Sequence, residues 1–509
     1  MNERVHLAEP SDPDGLPVDP LPAIQNVELL PARRATRAVL LVLGLRLVGA
    51  LTGVVVAGLL SRQLGPAGFG ELSVIFTVAI LASTVAEFGT NYVVVAEMAA
   101  HPWRRRELAA GLALVRGVAG ALLATTGSVV LVGVFDRPDA AWAGGAVLAT
   151  LPLAALTGLT VLHQARLRPE IGAALSLGQS VLWLVAVVVA GTLGASLAFY
   201  GLAYLLVGLV QAAAAWATVG REHPAWSCWR PAAGWIVRRS WPLGIATVLG
   251  AVYYRLDAVL VFELSGADAA GFYSAAYRFL DVLQLVPAAL AGVLVPLFAS
   301  ACARGDREGS ERVLRLAVTV AAAVALPVAA GAFVAADRIA VAVFGPAFTP
   351  TGDVLAVLPL AFFSITTGYM YAAMLVALGQ VRVLAVVAAL AAVLSVTADL
   401  IVIPTWGAVG AAWITVCVEY LVTTCLALWL RSRIGFRLPW PRIGAAAAAS
   451  AVLVAVAWPL RSAPLPLLLV VPSVAYLIAA TSFRAVTRAD LRVLVHPALA
   501  LGSPPEDSP

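Results

Sequence analysis

Apolar runs of roughly 18 to 30 residues, each bounded by arginine, glycine or proline, recur from residue 38 to residue 482. A helix rising about 1.5 Å per residue crosses a hydrocarbon core of about 30 Å in about 20 residues, so each run is long enough for one membrane helix. About fourteen helices are expected on this reading. The first, over 38–60, contains AVLLVLGLRLVGALTGVVVA, with Arg46 as the one charge at its middle. An arginine near the bilayer centre costs roughly 2.5–3.5 kcal/mol on the lenient insertion scale. Gly49, Ala50 and Gly53 share its helical face and allow close approach of a neighbour. Arg46 is therefore expected to point into the protein or a wet cavity.

Composition agrees with the pattern. The 509 residues are 61% hydrophobic and 12% charged, with a mean hydropathy of +0.94, which fits an all-α polytopic membrane protein and not a soluble one. The chain has no lysine, so its 33 basic residues are all arginine. With the N-terminus in the cytoplasm, about 25 of the arginines fall in cytoplasmic segments and about 4 in outer loops, as the positive-inside rule requires. The expected location is the cytoplasmic membrane, multi-pass, with both termini inside. The net charge of +5 gives no support to nucleic-acid binding. Cys228, Cys302, Cys417 and Cys425 form no CxxC pair and no cluster with histidine, so neither a disulfide framework nor a metal site is implied. No cofactor is expected.

Two pairs of loops repeat. LGPAGFGELS (64–73), joining helices one and two, returns as LSGADAAGFYSAA (264–276) between helices seven and eight. GTLGASLA (191–198), between helices five and six, returns as PTWGAVGAA (404–412) between eleven and twelve. Both members of each pair fall on the outer side, so the halves share one orientation and are related by an axis along the membrane normal. The expected organisation is an acidic, proline-rich disordered cytoplasmic tail (1–37), a six-helix N-lobe (38–219), a cytoplasmic linker (220–234), a six-helix C-lobe (235–431), an extra helix pair (432–482) and a cytoplasmic C-terminal tail (483–509). The first apolar run starts late and ends in SRQLG, so it reads as an anchor and not a cleaved signal.

The series SRQLGPAGFGELS, EFGTNYVVVAEMA, YYRLDAVLVFELSGADAAGFYSAAYRF, LVPLFAS and PTWGAVGAAWIT, in this order and spacing, resembles the polysaccharide-repeat flippases of the Wzx type. These belong to the multidrug/oligosaccharidyl-lipid/polysaccharide (MOP) exporter superfamily, and the resemblance covers nearly the whole chain. It implies the two pseudo-symmetric six-helix lobes of the MATE-like fold plus a C-terminal helix pair, alternating access, and passage of an undecaprenyl-diphosphate-linked oligosaccharide between leaflets. It implies glycan polymerase or ligase partners and a groove for the lipid tail beside the extra helices, as in the lipid II flippases. Where many relatives carry a basic residue before the glutamate of the helix-two motif, this chain has Ala96 before Glu97.

A lipid-linked sugar diphosphate presents phosphates, which suit arginine, and hydroxyls, which need polar partners. The intramembrane arginines are Arg46, Arg116, Arg255 and Arg278. Arg46 has no carboxylate on its helix; it is a candidate phosphate ligand, or a partner of Glu87. Arg255 and Asp257 are two apart and point away from each other, which leaves Arg255 for a ligand or for Asp281. Arg278 and Asp281, three apart, face each other along a stripe with Ser274, either as a self-neutralised pair or as ligand groups, and a polar stripe on a helix that Pro287 should kink is expected to line the cavity. Arg116 is expected to snorkel to the headgroups. Glu87 and Asn91, four apart, should share one face of helix two, where they either hydrogen-bond between helices or meet sugar hydroxyls or a cation. Asp399 and Glu419 suggest a cation or proton relay. Tyr253, Tyr254, Tyr273 and Tyr277 either stack on sugars or anchor at the interface. The substrate-binding set is thus Arg46, Arg255, Arg278, Asp281, Glu87 and Asn91, with no catalytic residue.

Other functions on this pattern are a small-molecule cation antiporter, for which carboxylates and not arginine would face the cargo, and a lipid II-type precursor flippase. A membrane-embedded glycan enzyme would display acid, base or histidine groups on a sizeable outer loop, and the longest, 336–352, has only Asp337 and Arg338 near its start. A nucleotide-driven pump would need a GxxxxGK[ST] loop, which is absent from the sequence.

Overall fold

The computed structural model describes residues 32–135, 137–485 and 487. The expected tail over 1–31 and most of the tail beyond 485 lie outside the described residues. All regular elements among the described residues are helices. They are α1 (Ala32–Glu87), α2 (Thr90–Ala100), α3 (Arg105–Val134), the broken series α4 (Pro138–Leu148), α5 (Ala154–Thr157) and α6 (Val161–Ala165), then α7 (Pro169–Thr192) and α8 (Leu197–Val219). The second half runs α9 (Trp229–Leu283), α10 (Leu285–Ala303), α11 (Arg307–Phe344), α12 (Thr351–Val357), α13 (Ala361–Ala377) and α14 (Val381–Ile434), followed by α15 (Trp440–Ala457) and α16 (Leu465–Ser482). Eleven stretches among the described residues are long and apolar enough to cross a membrane. Three of them contain a non-helical glycine: Gly65 in α1, Gly266 in α9 and Gly407 in α14. Cutting there divides the eleven into fourteen segments, consistent with the sequence pattern. The protein is a multi-pass membrane protein.

The kinks carry the internal repeat. Gly65 (φ 69, ψ −179) and Gly266 (φ 89, ψ 174) hold nearly the same conformation, one that a side chain bearing Cβ resists. The sequence match set Gly68-Phe69 against Gly271-Phe272. The backbone corrects that register: with the two kinks superposed in sequence, Gly70 falls on Gly271 and Pro66 on Ala267. The contacts obey this register, since a Cβ added at Gly70 would overlap the carbonyl oxygen of Ala267 and one at Gly271 would overlap that of Pro66. Two halves therefore cross at one glycine from each. The second pair of loops holds its register, with positive φ at both Gly194 and Gly407.

Each kink also touches the other repeated loop of its own half: a Cβ at Gly191 would overlap the Gln63 side chain, and one at Gly407 would lie 3.8 Å from Ser265 Oγ. Gln63 donates to the Val187 carbonyl (3.4 Å), and Ser265 Oγ to the Ile403 carbonyl (3.3 Å). Arg62 donates to the Ala342 carbonyl at 2.7 Å, so one face of the molecule gathers all these turns. We call it the kink face; the opposite face carries the start of α1.

Helix two, expected unbroken over 71–98, is interrupted where Phe88 (φ 42) and Gly89 (φ 67) leave the helical region, and α2 starts at Thr90. The break lets two halves meet again nearer the α1-start face: a Cβ on Gly89 would sit 2.9 Å from the Gly244 nitrogen, and the Phe88 ring lies over Gly244. Helix eight breaks at Gln284, between α9 and α10. Pro287 explains it, having no N–H for the Leu283 carbonyl and a ring that crowds it. The extra pair α15 and α16 packs on α11 through Ala446, Ala449, Leu453, Leu468 and Tyr476, and the Tyr476 hydroxyl donates to the Ala323 carbonyl at 2.6 Å.

Candidate functional site

Gly266 turns α9 back on itself, so its two limbs run antiparallel and a stripe on the second limb is bound to the first. Tyr273, Tyr277 and Asp281 are four apart and share one helical face. The Tyr273 hydroxyl donates to the Asp257 carboxylate, and the Tyr277 hydroxyl to the Tyr254 carbonyl at 3.3 Å. Asp281 accepts from Arg255 at 2.9 Å. These tyrosines are buried fasteners of the hairpin and not interface anchors. Asp257 is 6% exposed and also accepts from the Ala258 amide at 2.8 Å, so its oxygens are committed locally.

Asp281 serves two arginines unequally. Arg255 lies at 2.9 Å and Arg278 at 4.0 Å, the outer limit of an ion pair. The Arg255 guanidinium also lies 5.8 Å from the Tyr277 ring centre. Ser73 and Thr77, from the other half, line the same small void as Arg255, Arg278 and Asp281. The cluster therefore sits between the two halves. Arg255 is eleven residues from Gly244 and eleven from Gly266, about 16 Å of helix either way, so it lies midway between the two glycine crossings.

Arg278 is followed by Phe279, which faces a different space. Phe279, Val282 and Leu283 help to wall a cleft of about 560 Å³ whose other walls include Leu51 and Val54 of α1, Gly331 of α11, Leu453 of α15 and Leu468 of α16. Its lining is almost wholly apolar. One turn of α9 thus separates a charged cluster from an apolar cleft completed by the extra helix pair.

The remaining candidates are scattered. Arg46 is exposed and makes no ion pair or hydrogen bond among the described residues; Ala57, Leu60 and Ser61, on the same side of the helix further along, are buried. Arg46 does not meet Glu87. That carboxylate lies 3.5 Å from Arg116, which is itself 6% exposed and donates to Thr90 Oγ1 through Nε at 3.0 Å and Nη2 at 2.9 Å. Arg116 thus does not snorkel; it is folded inward against the helix-two break. The same break removes the helical spacing between Glu87 and Asn91, so they do not share a face as expected. Asn91 makes no hydrogen bond among the described residues. Glu97, with no basic neighbour at position 96, takes its charge partner seven residues on, at Arg104, with His101 at 3.3 Å.

Glu419 accepts from Tyr253 at 2.7 Å. Asp399 is 2% exposed, with Ser395 Oγ at 3.4 Å and its other oxygen unpartnered among the described residues. Among the described residues no group of three His, Cys, Asp or Glu is arranged to hold a metal ion. Sequence reasoning missed Thr90, the partner of Arg116, and the polar residues Gln179 and Gln211, which line a cavity of about 370 Å³ with Arg278 in the first half. A glutamine inside an apolar span, four residues before Trp183, was the available signal.

A probable low-salt glycan biosynthesis flippase, Agl15 of Haloferax volcanii, is 24% identical over 213 residues, which is 42% of this chain and 45% of that protein. The match spans less than half of that relative's length. Among solved structures, the lipid II flippase MurJ in an inward closed conformation superposes with a TM-score of 0.69 at 13% identity, over 91% of this chain and 100% of that one. An inward-facing MATE multidrug resistance transporter of the MOP superfamily superposes with a TM-score of 0.60 at 17% identity, over 77% and 94%. At such identities the likeness establishes the fold: two pseudo-symmetric lobes with an additional helix pair. Residues 35–302 match the polysaccharide biosynthesis protein family, more than half of the chain. With its sequence signature, its kinked-hairpin repeat and its MOP exporter fold, the chain belongs to that family.

Proposed function

We propose that the protein moves an undecaprenyl-diphosphate-linked oligosaccharide repeat unit across the cytoplasmic membrane, by alternating access, for surface polysaccharide assembly. The observation that carries this reading is the adjacency of Arg278 and Phe279: consecutive residues of α9 face the charged cluster and the 560 Å³ apolar cleft. A lipid diphosphate has the same division. Its phosphates suit an incompletely neutralised guanidinium, and its hydrocarbon suits a cleft with no polar demand. Arg255 and Asp281 hold the cluster together, and Arg278 is its binding cation. The kinship with a family named for polysaccharide biosynthesis, and the name of the Haloferax relative, support a glycan as the cargo's head.

In this account the arginine-rich face is cytoplasmic, as are both termini, and the lobes correspond to 38–219 and 235–431. Arg46, on a side of α1 that is buried further along, meets the phosphates when the cargo enters from the cytoplasm. Glu87 and Asn91 flank the helix-two break on that route. The protein works as a transporter beside a glycan polymerase or ligase. A cation antiporter on this fold would present a free carboxylate to its cargo; in the charged cluster, Asp257 accepts from Tyr273 and the Ala258 amide, and Asp281 from Arg255.

The test uses purified protein in vesicles carrying a polyprenyl-diphosphate-linked oligosaccharide in both leaflets, with leaflet exposure read by periodate or a lectin. Wild type should equilibrate the lipid, and Arg278→Gln should slow it at least tenfold. Equal rates in empty vesicles and wild-type vesicles would overturn the proposal.

A further inference from the structure

Arg278 lines a second cavity, of about 370 Å³, that opens into the first half of the molecule. Its other walls are stripes at helical spacing. α1 contributes Phe76, Ile80 and Ser83; α7 contributes Gln179 and Trp183; α8 contributes Tyr204, Gly208 and Gln211. Three rings pack on one another there, with centroids 6.0 Å (Phe76 to Trp183), 4.8 Å (Phe76 to Tyr204) and 5.2 Å (Trp183 to Tyr204) apart, all edge-on. That packing fixes the aromatic wall before any ligand arrives.

Thr150 and Thr157 in this wall donate to carbonyls of their own helical turns, but four other polar groups are unused among the described residues. Gln179, Gln211, the Tyr204 hydroxyl and the Trp183 indole make no hydrogen bond among the described residues, although both glutamines are half-buried inside membrane-spanning helices. An amide left without partners at that depth is costly, so it requires water or a ligand. Each glutamine offers a carbonyl acceptor and two N–H donors. Donors and acceptors alternating over a rigid aromatic surface match a pyranose, which has hydroxyls around its edge and a C–H face. Arg278 stands where this cavity meets the charged cluster, which suits the joint between sugar and diphosphate.

We infer that this first-half cavity, built on Gln179, Gln211, Trp183 and Tyr204, is a saccharide site that reads the sugar joined to the diphosphate. The inference rests on the transport reading above and adds the place where cargo is selected. Gly208 matters to it as well: a Cβ there would press within 3.2 Å of Thr150 and narrow the cavity floor.

The experiment measures binding by the full protein in nanodiscs of two probes. One is the diphosphate-linked glycan-lipid extracted from membranes of cells lacking the protein; the other is polyprenyl diphosphate without sugar. Wild type should hold the glycan-lipid at least tenfold tighter than the sugar-free lipid. Gln179→Ala with Gln211→Ala should abolish that difference and leave the sugar-free lipid unaffected, whereas Arg278→Gln should weaken both. Because neither glutamine bonds to another described residue, the thermal midpoint of the double variant should equal that of wild type. A double variant that keeps the full preference for the glycan-lipid, or loses both lipids equally, overturns the saccharide site alone. Wild type that holds neither lipid overturns the transport reading together with it.

Discussion

Gly70 and Gly271 occupy matching positions in the two halves of the chain, four residues after Pro66 and four after Ala267. Each is closed against the other half's carbonyl, Gly70 on Ala267 and Gly271 on Pro66. The two lobes meet here with no room for a methyl group on either side. A second crossing, Gly89 on Gly244, lies nearer the opposite face, and Arg255 sits between them. Along α9 the charged cluster is thus bracketed by the two crossings.

Adding a methyl group at the first crossing should force the halves apart. Gly70→Ala and Gly271→Ala should each destabilise by about 1–3 kcal/mol, the range for overpacking a filled interior, and raise labelling of a cysteine placed at Ser73. Gly250→Ala, where an added Cβ meets nothing within 4 Å, is the control and should leave the thermal midpoint unchanged or slightly raised. Thermal unfolding in detergent and maleimide labelling check both.

Asp281→Asn should leave Arg255 without its carboxylate. Side-chain exposure of 25–30% moderates the cost below that of a fully buried pair, to about 1–3 kcal/mol. Arg278→Gln, which removes the 4.0 Å partner, should cost less than Asp281→Asn in thermal unfolding. The reverse ranking would contradict the division of labour between the two arginines.

Arg116 is a folding residue in this account. Arg116→Ala should destabilise by about 3 kcal/mol, since it leaves a cavity at a buried site and removes the two N–H donors to Thr90 Oγ1 and the charge beside Glu87. Denaturant or thermal unfolding separates this from a headgroup contact, whose removal would fall within about 0.5 kcal/mol.

Gly331 lines the apolar cleft and an added Cβ there meets nothing within 4 Å. Gly331→Trp should fold normally and fill the space. Glycan-lipid transport should fall at least tenfold, while the affinity of the charged cluster for a short-chain farnesyl diphosphate stays the same. Unaltered transport would remove the cleft from the account.

The membrane fold was legible because it rests on long-range composition: apolar length, arginine placement and loop patterns all repeat over many residues. Contacts that depend on a local departure from the helix were not legible. Nothing in Phe88 announces a φ of 42°, yet that break separates Glu87 from Asn91 and brings Arg116 to Thr90. The Gly-Phe dipeptide misled the repeat by two residues, because the shared requirement is a backbone crossing at Gly70 and Gly271 and not a shared side chain. The pairing of Arg255 with Asp281 was one of two readings open to the sequence, and only the antiparallel hairpin decides it. The glutamines of the first-half cavity carry no charge and so stand out little against an apolar span.

Under the proposed function, the cluster around Arg278 grips a diphosphate-linked glycan-lipid as it passes between leaflets. The most direct measurement is the leaflet distribution of such lipids in cells that lack the protein and retain the sugar-assembly enzymes. The account predicts a complete glycan-lipid held on the cytoplasmic side, relieved by wild type and not by a folded Arg278→Gln variant. Lipids distributed as in wild-type cells, with no other flippase acting, would contradict it.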